Sequence, residues 1–284
     1  MKRILLPTDF SDTAYNAMCY AVQLFEKEKC EFTLLHTYTP VTYNVGTVAD
    51  SYSTFELLEV LKSTVGQNLD KTEELLKGKF KNPNHTFQKK GTYNLLINEM
   101  QDLIKEKNIE LIVMGTTGAT GAKEIFLGTN TMYTIKNVKC AVIAVPANFS
   151  YEEPKEILFP TDFKFSYKNK YLSFIRDLCK THTSKLHIFN VVKEETTASK
   201  NDMMMDFLDK YFEDNFHRFH IAKNKDLQEA IVAFELKNKI NLLIMIHNKH
   251  SFFENLLFKP VINKIVFHTQ VPFLVIPSEE RMMN

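Results

Sequence analysis

Apolar positions follow two rhythms along this chain. Short apolar runs, at 4–6, 32–35, 111–114 and 141–145, are closed by proline, histidine or glycine, and they read as strands buried on both faces. Between them apolar residues recur at helical spacing. Ala14, Met18, Ala21, Val22 and Phe25 form one such stripe, Phe55, Leu58, Leu61, Val65 and Leu69 a second, and Leu96, Met100, Leu103 and Ile104 a third. The pattern predicts strands over 3–6, 32–37, 86–89, 111–114 and 141–145. Ser11 or Asp12 is placed to cap the first helix. The second helix runs to about residue 76, behind a polar, aromatic-flecked loop over 38–50, and a fourth helix covers 130–136.

The rhythm then starts again. Ile4-Leu5-Leu6-Pro7-Thr8-Asp9-Phe10 recurs as Ile157-Leu158-Phe159-Pro160-Thr161-Asp162-Phe163, with one residue changed. Residues 114–146 align without gaps to 245–277, so each copy also closes on a similar apolar strand and a proline. Strands are expected at 157–159, 186–190, 217–221, 242–245 and 273–276. Helices are expected around Met204, Phe207, Leu208 and Tyr211, and over 227–234 and 261–266. The chain is therefore a tandem repeat, with units at 1–147 and 154–284 and a short joint between them. Alternating strands and helices specify the α/β class: two doubly wound domains, each a five-stranded parallel sheet flanked by helices. In such sheets ligands sit beyond the carboxyl ends of the strands, where strand order reverses. Asp9, Thr37 and Gly115 all fall just past strand ends and can share one crevice.

The glycines single out one place in that plan. Of 8 in the chain, four lie between 115 and 128, directly after the apolar run 111–114 and directly before a helix. A strand emptying into a glycine-rich turn and a helix start is suited to phosphate, because glycine lets backbone approach the ligand and the first helical N–H groups favour an anion. Thr117, Thr129 and Thr131 add hydroxyls there. Neither a Walker loop nor a G-x-G-x-x-G fingerprint is present. The structural alternative is a tight strand–helix turn without a ligand; for Asp9 it is a helix cap. Lys123 reads either as a phosphate contact or as a solvated lysine.

Composition narrows the picture further. A hydrophobic content of 44%, a charged content of 24% and a net charge of +1 describe a globular chain without the field that attracts nucleic acid or an anionic membrane. No apolar run approaches a membrane span, and the start of the chain does not read as a signal peptide, so a cytoplasmic protein is expected. Cys19, Cys30, Cys140 and Cys179 are scattered and read as reduced, mostly buried thiols. His36 reads as a packed histidine. His247, His250 and His268 lack partners at zinc-ligand spacing. Met203-Met204-Met205 reads as core or partner-facing surface. Tyr38, Tyr43 and Tyr52 suggest a lid over the crevice.

Gly115, Gly118, Gly128 and Thr129 follow the spacing G-x2-G-x9-G-T. With Pro7-Thr8-Asp9-Phe10-Ser11 and Leu34-Leu35-His36-Thr37, they give the chain a resemblance to the universal stress protein (UspA-like) family, in its adenine-nucleotide-binding class. The resemblance covers both copies and implies the adenine nucleotide alpha hydrolase-like fold. It implies that Asp9 and the backbone around Pro7, Thr8 and Thr37 meet adenine and ribose. Met114 would line the base pocket, and Gly115, Thr117, Gly118, Gly128, Thr129 and Asn130 would hold the phosphates of ATP or another adenine nucleotide, with Mg²⁺. It also implies that 141–145 and 273–276 pair within the chain as a pseudo-dimer, and it leaves a homodimer open. Thr37 stands where the family has a valine-like residue.

The second copy departs from the motif. Ile246, Lys249, Lys259 and Pro260 stand where the first has Gly115, Gly118, Gly128 and Thr129, and no glycine follows Gly128. Side chains there would block backbone approach, and Pro260 removes a donor. This copy reads as a degenerate scaffold, with Lys249, His250 and Lys259 either as solvated surface or as a charge-based contact for some other anion. The first expectation for function is a nucleotide-binding, stress-response regulator with no catalytic residue assigned. The alternatives are a slow ATP hydrolase or nucleotide-dependent transferase, and a ligand-free interaction scaffold.

Overall fold

The structure is a computed structural model. It describes residues 1–39, 48–116, 128–192, 198–223, 226–247, 270–279 and 282, with backbone alone over 48–55 and 198–201. The first half runs β1 (Lys2–Pro7), α1 (Asp12–Leu24), β2 (Cys30–Tyr38), α2 (Val48–Lys79), β3 (His85–Tyr93), α3 (Leu96–Lys107), β4 (Leu111–Gly115), α4 (Thr129–Asn137) and β5 (Ala141–Val145). The second runs β6 (Glu156–Pro160), α5 (Tyr171–His182), β7 (Lys185–Val192), α6 (Ala198–Tyr211), β8 (His217–Lys223), α7 (Leu227–Asn238), β9 (Leu242–His247) and β10 (Phe273–Pro277).

Among the described residues ten strands join one sheet, in the order β3-β2-β1-β4-β5-β10-β9-β6-β7-β8. Pairing is parallel within each half. At the centre β5 meets β10 antiparallel, with Val142, Ile143 and Ala144 opposite Val275, Leu274 and Phe273. Strand alternation sends neighbouring residues to opposite faces. Ile4 and Leu6 enter the layer under α1, α2 and α5, while Leu5 enters the layer that holds Met100, Ile135 and Ile231 of α3, α4 and α7. Both layers draw residues from both halves, so the core is continuous across the seam.

The joint between the halves is strapped to the body. Asn16 Nδ2 donates to the Phe149 carbonyl at 3.0 Å and Ser184 Oγ to the Pro154 carbonyl at 2.5 Å. The Glu153 carboxylate meets Lys27, Lys155 and His182. Tyr171 crosses the seam, and its hydroxyl accepts from the Ala141 N–H at 3.2 Å.

Two elements differ from the sequence reading. β3 is longer than the predicted 86–89, because it pairs with β2 at every position from Cys30↔His85 to Tyr38↔Tyr93. Its mostly polar outer face hid that length. α2 begins at Val48, within the expected loop, so Tyr52 lies in the helix, while Tyr38 ends β2 with its ring 6.2 Å from that of Tyr93. The lid of Tyr38, Tyr43 and Tyr52 is therefore not one loop; Tyr43 lies outside the described residues. So does the expected helix over 261–266. The four cysteines are buried free thiols. Among the described residues no helix is long and apolar enough to cross a membrane, and no cluster of histidine, cysteine and acidic side chains could hold a metal ion.

Candidate functional site

Strand order reverses in the first half between β1 and β4, since the chain steps outward to β2 and β3 and then returns to β4 and β5 on the other side. A doubly wound sheet opens its ligand crevice at that point. A cleft of about 290 Å³ lies there, lined by the strand ends and the helix starts that follow them. Pro7 ends β1 and Thr8 and Asp9 follow it, Thr37 comes from β2, Met114 and Gly115 from β4, and Asn130 from α4. Seven residues from four separate stretches of sequence thus converge on one cavity.

The Asp9 segment is built by local hydrogen bonds. Thr8 N–H donates to the Leu35 carbonyl at 2.8 Å, continuing the β1–β2 ladder past Pro7. Phe10 N–H donates to Thr8 Oγ1 at 2.8 Å and turns the chain, with Phe10 at φ 63°, in the left-handed region. Asp9 Oδ1 accepts from Ser11 N–H at 3.1 Å and from Ser11 Oγ at 2.5 Å. Ser11 Oγ in turn accepts from Ala14 N–H at 3.2 Å and so caps α1. Asp9 holds the turn while its exposed carboxylate lines the cleft.

The β4–α4 side of the cleft ends at a helix start. Gly128 is the N-cap of α4, and no side chain caps that helix. The first N–H groups of a helix have no partner within it and carry the positive end of its dipole. Thr129 and Asn130 stand exposed at this end. Thr131 does not serve the cleft directly, because its buried hydroxyl donates to the Gly115 carbonyl at 2.7 Å and pins α4 to the end of β4. The Gly128 N–H also turns inward, onto the Thr116 carbonyl. Thr116 is 3% exposed, and its Oγ1 has no partner among the described residues. Buried hydroxyls are usually paired, so this one stands out just past the end of β4. Thr117 and Gly118 lie outside the described residues.

Sequence reasoning missed Ala14, His36, Thr39, Asn94, Leu95 and Leu96, which also line the cleft. The strand-end rule, extended to β3, would have found 94–96. Asn94 Oδ1 accepts from Leu95 N–H at 2.8 Å and its Nδ2 donates to Glu99 at 2.9 Å, which shapes the turn into α3. His36 is packed as expected, with Nδ1 2.7 Å from the Thr8 carbonyl and its ring stacked on Phe10 at 4.5 Å, yet it also reaches the cleft.

The second half keeps the turn and loses the rest. Thr161 N–H donates to the Phe189 carbonyl at 2.8 Å, Phe163 N–H to Thr161 Oγ1 at 2.9 Å and Lys164 N–H to Asp162 Oδ1 at 3.1 Å, and Phe163 has φ 59°. But Lys164 stands where Ser11 caps α1, and α5 does not begin until Tyr171. Ile246, 8% exposed, stands in place of Gly115. In the first half a Cβ on Gly115 would lie 2.5 Å from Thr13 Cγ2 and 3.1 Å from the Thr13 carbonyl oxygen of α1.

Fold and cleft together define a tandem, doubly wound α/β protein with a strand-end crevice in its first half. The model of the universal stress protein family matches residues 1–146 and again 154–277, and the chain belongs to that family. The universal stress protein MJ0531 of Methanocaldococcus jannaschii is 31% identical over 144 residues, covering 51% of this chain and 81% of the relative. MJ0577 of the same organism is 27% identical over 153 residues, covering 51% of this chain and 94% of the relative. A solved universal stress protein from Archaeoglobus fulgidus matches 97% of this chain with 96% of its own, at a TM-score of 0.63 and 16% identity, which speaks to the fold.

Proposed function

We propose that this universal stress protein binds an adenine nucleotide in the cleft of its first half and acts as a cytoplasmic regulatory sensor in a stress response. The observation that supports this most is the join of a strand-end crevice with an uncapped α4 N-terminus and a G-x2-G-x9-G-T loop. In this reading Met114, Leu95 and Leu96 face the base, and Asp9 with the backbone of Pro7, Thr8 and Thr37 meets base and ribose. Gly115, Thr117, Gly118, Gly128, Thr129 and Asn130 hold the phosphates. A polyphosphate would bring Mg²⁺ held by phosphate oxygens and water. The second unit, 154–284, is the scaffold, paired with the first unit, 1–147, as a pseudo-dimer inside one chain.

The test is a thermal shift with ATP and Mg²⁺ on the full chain and on Gly118→Asp. Ligand at about 100 times its dissociation constant stabilises the native state by roughly 2.7 kcal/mol, a shift of a few degrees. The shift is expected in the parent chain and lost in the variant. No shift in the parent chain would overturn the nucleotide reading. Phosphate release measured on the same samples separates a sensor, which binds without turnover, from a slow hydrolase.

A further inference from the structure

We infer that His36 is a specificity-determining residue of the cleft, whose Nε2 accepts a hydrogen bond from an N–H or O–H donor on the nucleoside part of the ligand. This rests on the nucleotide reading above and adds a residue and a direction of recognition to it. The tautomer follows from the geometry. Nδ1 lies 2.7 Å from the Thr8 carbonyl oxygen, which can only accept, so Nδ1 carries the proton. In the neutral ring Nε2 is then an acceptor. Nε2 has no hydrogen-bond partner among the described residues, and His36 is half-buried and lines the cleft. In this inference it is the acceptor that His36 presents to the cleft it lines.

The ring is held in that orientation from two sides. Phe10 stacks on it with 27° between the planes, and Phe10 is itself fixed by its N–H bond to Thr8 Oγ1. An acceptor fixed before binding loses little freedom on meeting a donor.

The chain carries its own control. By strand register Asn190 of β7 stands where His36 stands in β2, one residue past Phe189 and Leu35. Asn190 Nδ2 donates to the Thr161 carbonyl at 2.7 Å, the same bond that His36 makes to Thr8. An amide therefore suffices to hold the Pro-Thr-Asp turn. The imidazole of the first half exceeds that task, and what it adds is a second ring nitrogen on a residue that lines the cleft. His36 sits on the β2 side, across the cleft from α4. With phosphates at α4, the groups nearest His36 are those of base and ribose. The donors available there are the exocyclic amine of adenine and the ribose hydroxyls.

The experiment compares the full chain with His36→Asn, which keeps the structural bond as Asn190 does. Affinities are measured by calorimetry for ATP, for ITP, which has a carbonyl in place of the amine, and for 2′-deoxy-ATP and 3′-deoxy-ATP. The variant is expected to melt with the parent and to bind ATP roughly tenfold more weakly, the loss of about one hydrogen bond. The parent's preference for ATP over one of the three analogues is expected to disappear in the variant, and that analogue names the donor. A second measurement needs no variant. In ¹⁵N-histidine-labelled parent chain, the unprotonated nitrogen of one neutral Nδ1–H histidine is expected to shift towards lower frequency on adding ATP. Equal ATP affinity in parent and variant, retention of all analogue preferences, or no responding histidine would each overturn the inference. A parent chain that binds no adenine nucleotide would remove the nucleotide reading itself.

Discussion

Gly115 has a reason to be glycine that owes nothing to a ligand. The α1 backbone at Thr13 comes so close that any Cβ at 115 meets both its methyl and its carbonyl oxygen. Gly115→Ala is therefore expected to cost about 1–3 kcal/mol in chemical denaturation, the range of overpacking. In a Thr13→Ala background the cost should shrink, since the methyl contact is gone and the carbonyl contact stays. A full, unchanged cost in that background would refute the close-packing account. The glycine was legible in the sequence, because four glycines cluster between 115 and 128, and it was read there as ligand approach or a tight turn, not as close packing on α1. His36 shows the converse. Its packing was foreseen, while its place in the cleft depends on which way the imidazole turns, and the Thr8 carbonyl decides that.

At the scale of elements, β6, β7 and β8 carry a histidine relay that no periodicity announces. His187 Nδ1 lies 2.9 Å from His220 Nε2, and His187 Nε2 lies 2.5 Å from Glu156 Oε2, with Phe234 of α7 against both rings. Burial first, and then His187, Arg218 and Lys185, push His220 from 6.5 down to about 4. Burial also lowers His187, against the pull of Glu156. Below about pH 6.5 the unfolded chain takes up protons that the folded relay refuses. Stability from the relay is thus complete above that pH and drains away as pH falls towards 4. The melting temperature should fall across this window, and His220→Gln should flatten the fall; an identical slope in the variant would count against the relay. The Glu153 carboxylate, held down at about 2 by Lys155, Lys27 and His182, loses its contribution only at lower pH, from 4.5 downward. These strands were legible as apolar runs, but their partners were not, because pairing across β6, β7 and β8 joins residues tens of positions apart.

At the scale of the whole molecule, the antiparallel join of β5 to β10 turns two five-stranded sheets into one of ten strands. Every residue of β5 is buried in the complete chain. An apolar strand edge left bare is a template for pairing. A fragment ending at residue 147 is therefore expected to self-associate through β5, as light scattering would report, whereas a monodisperse monomer would speak against β5 as the joining edge.

The sequence by itself determined the alternation of strands and helices, the duplication and the glycine-rich turn, because each of these is a local pattern of period, spacing or composition. It also marked Pro7, Asp9, Thr37, Met114, Gly115 and Asn130, which the fold gathers around one cleft. Tertiary structure alone decided the length of β3, the start of α2, the late start of α5 and the inward turn of Thr131. The length of β3 rests on the β2 ladder and the turn of Thr131 on the carbonyl of Gly115, both partners distant in sequence. Local pattern states what a segment can become, and long-range contact selects where it stops and which way its side chains face.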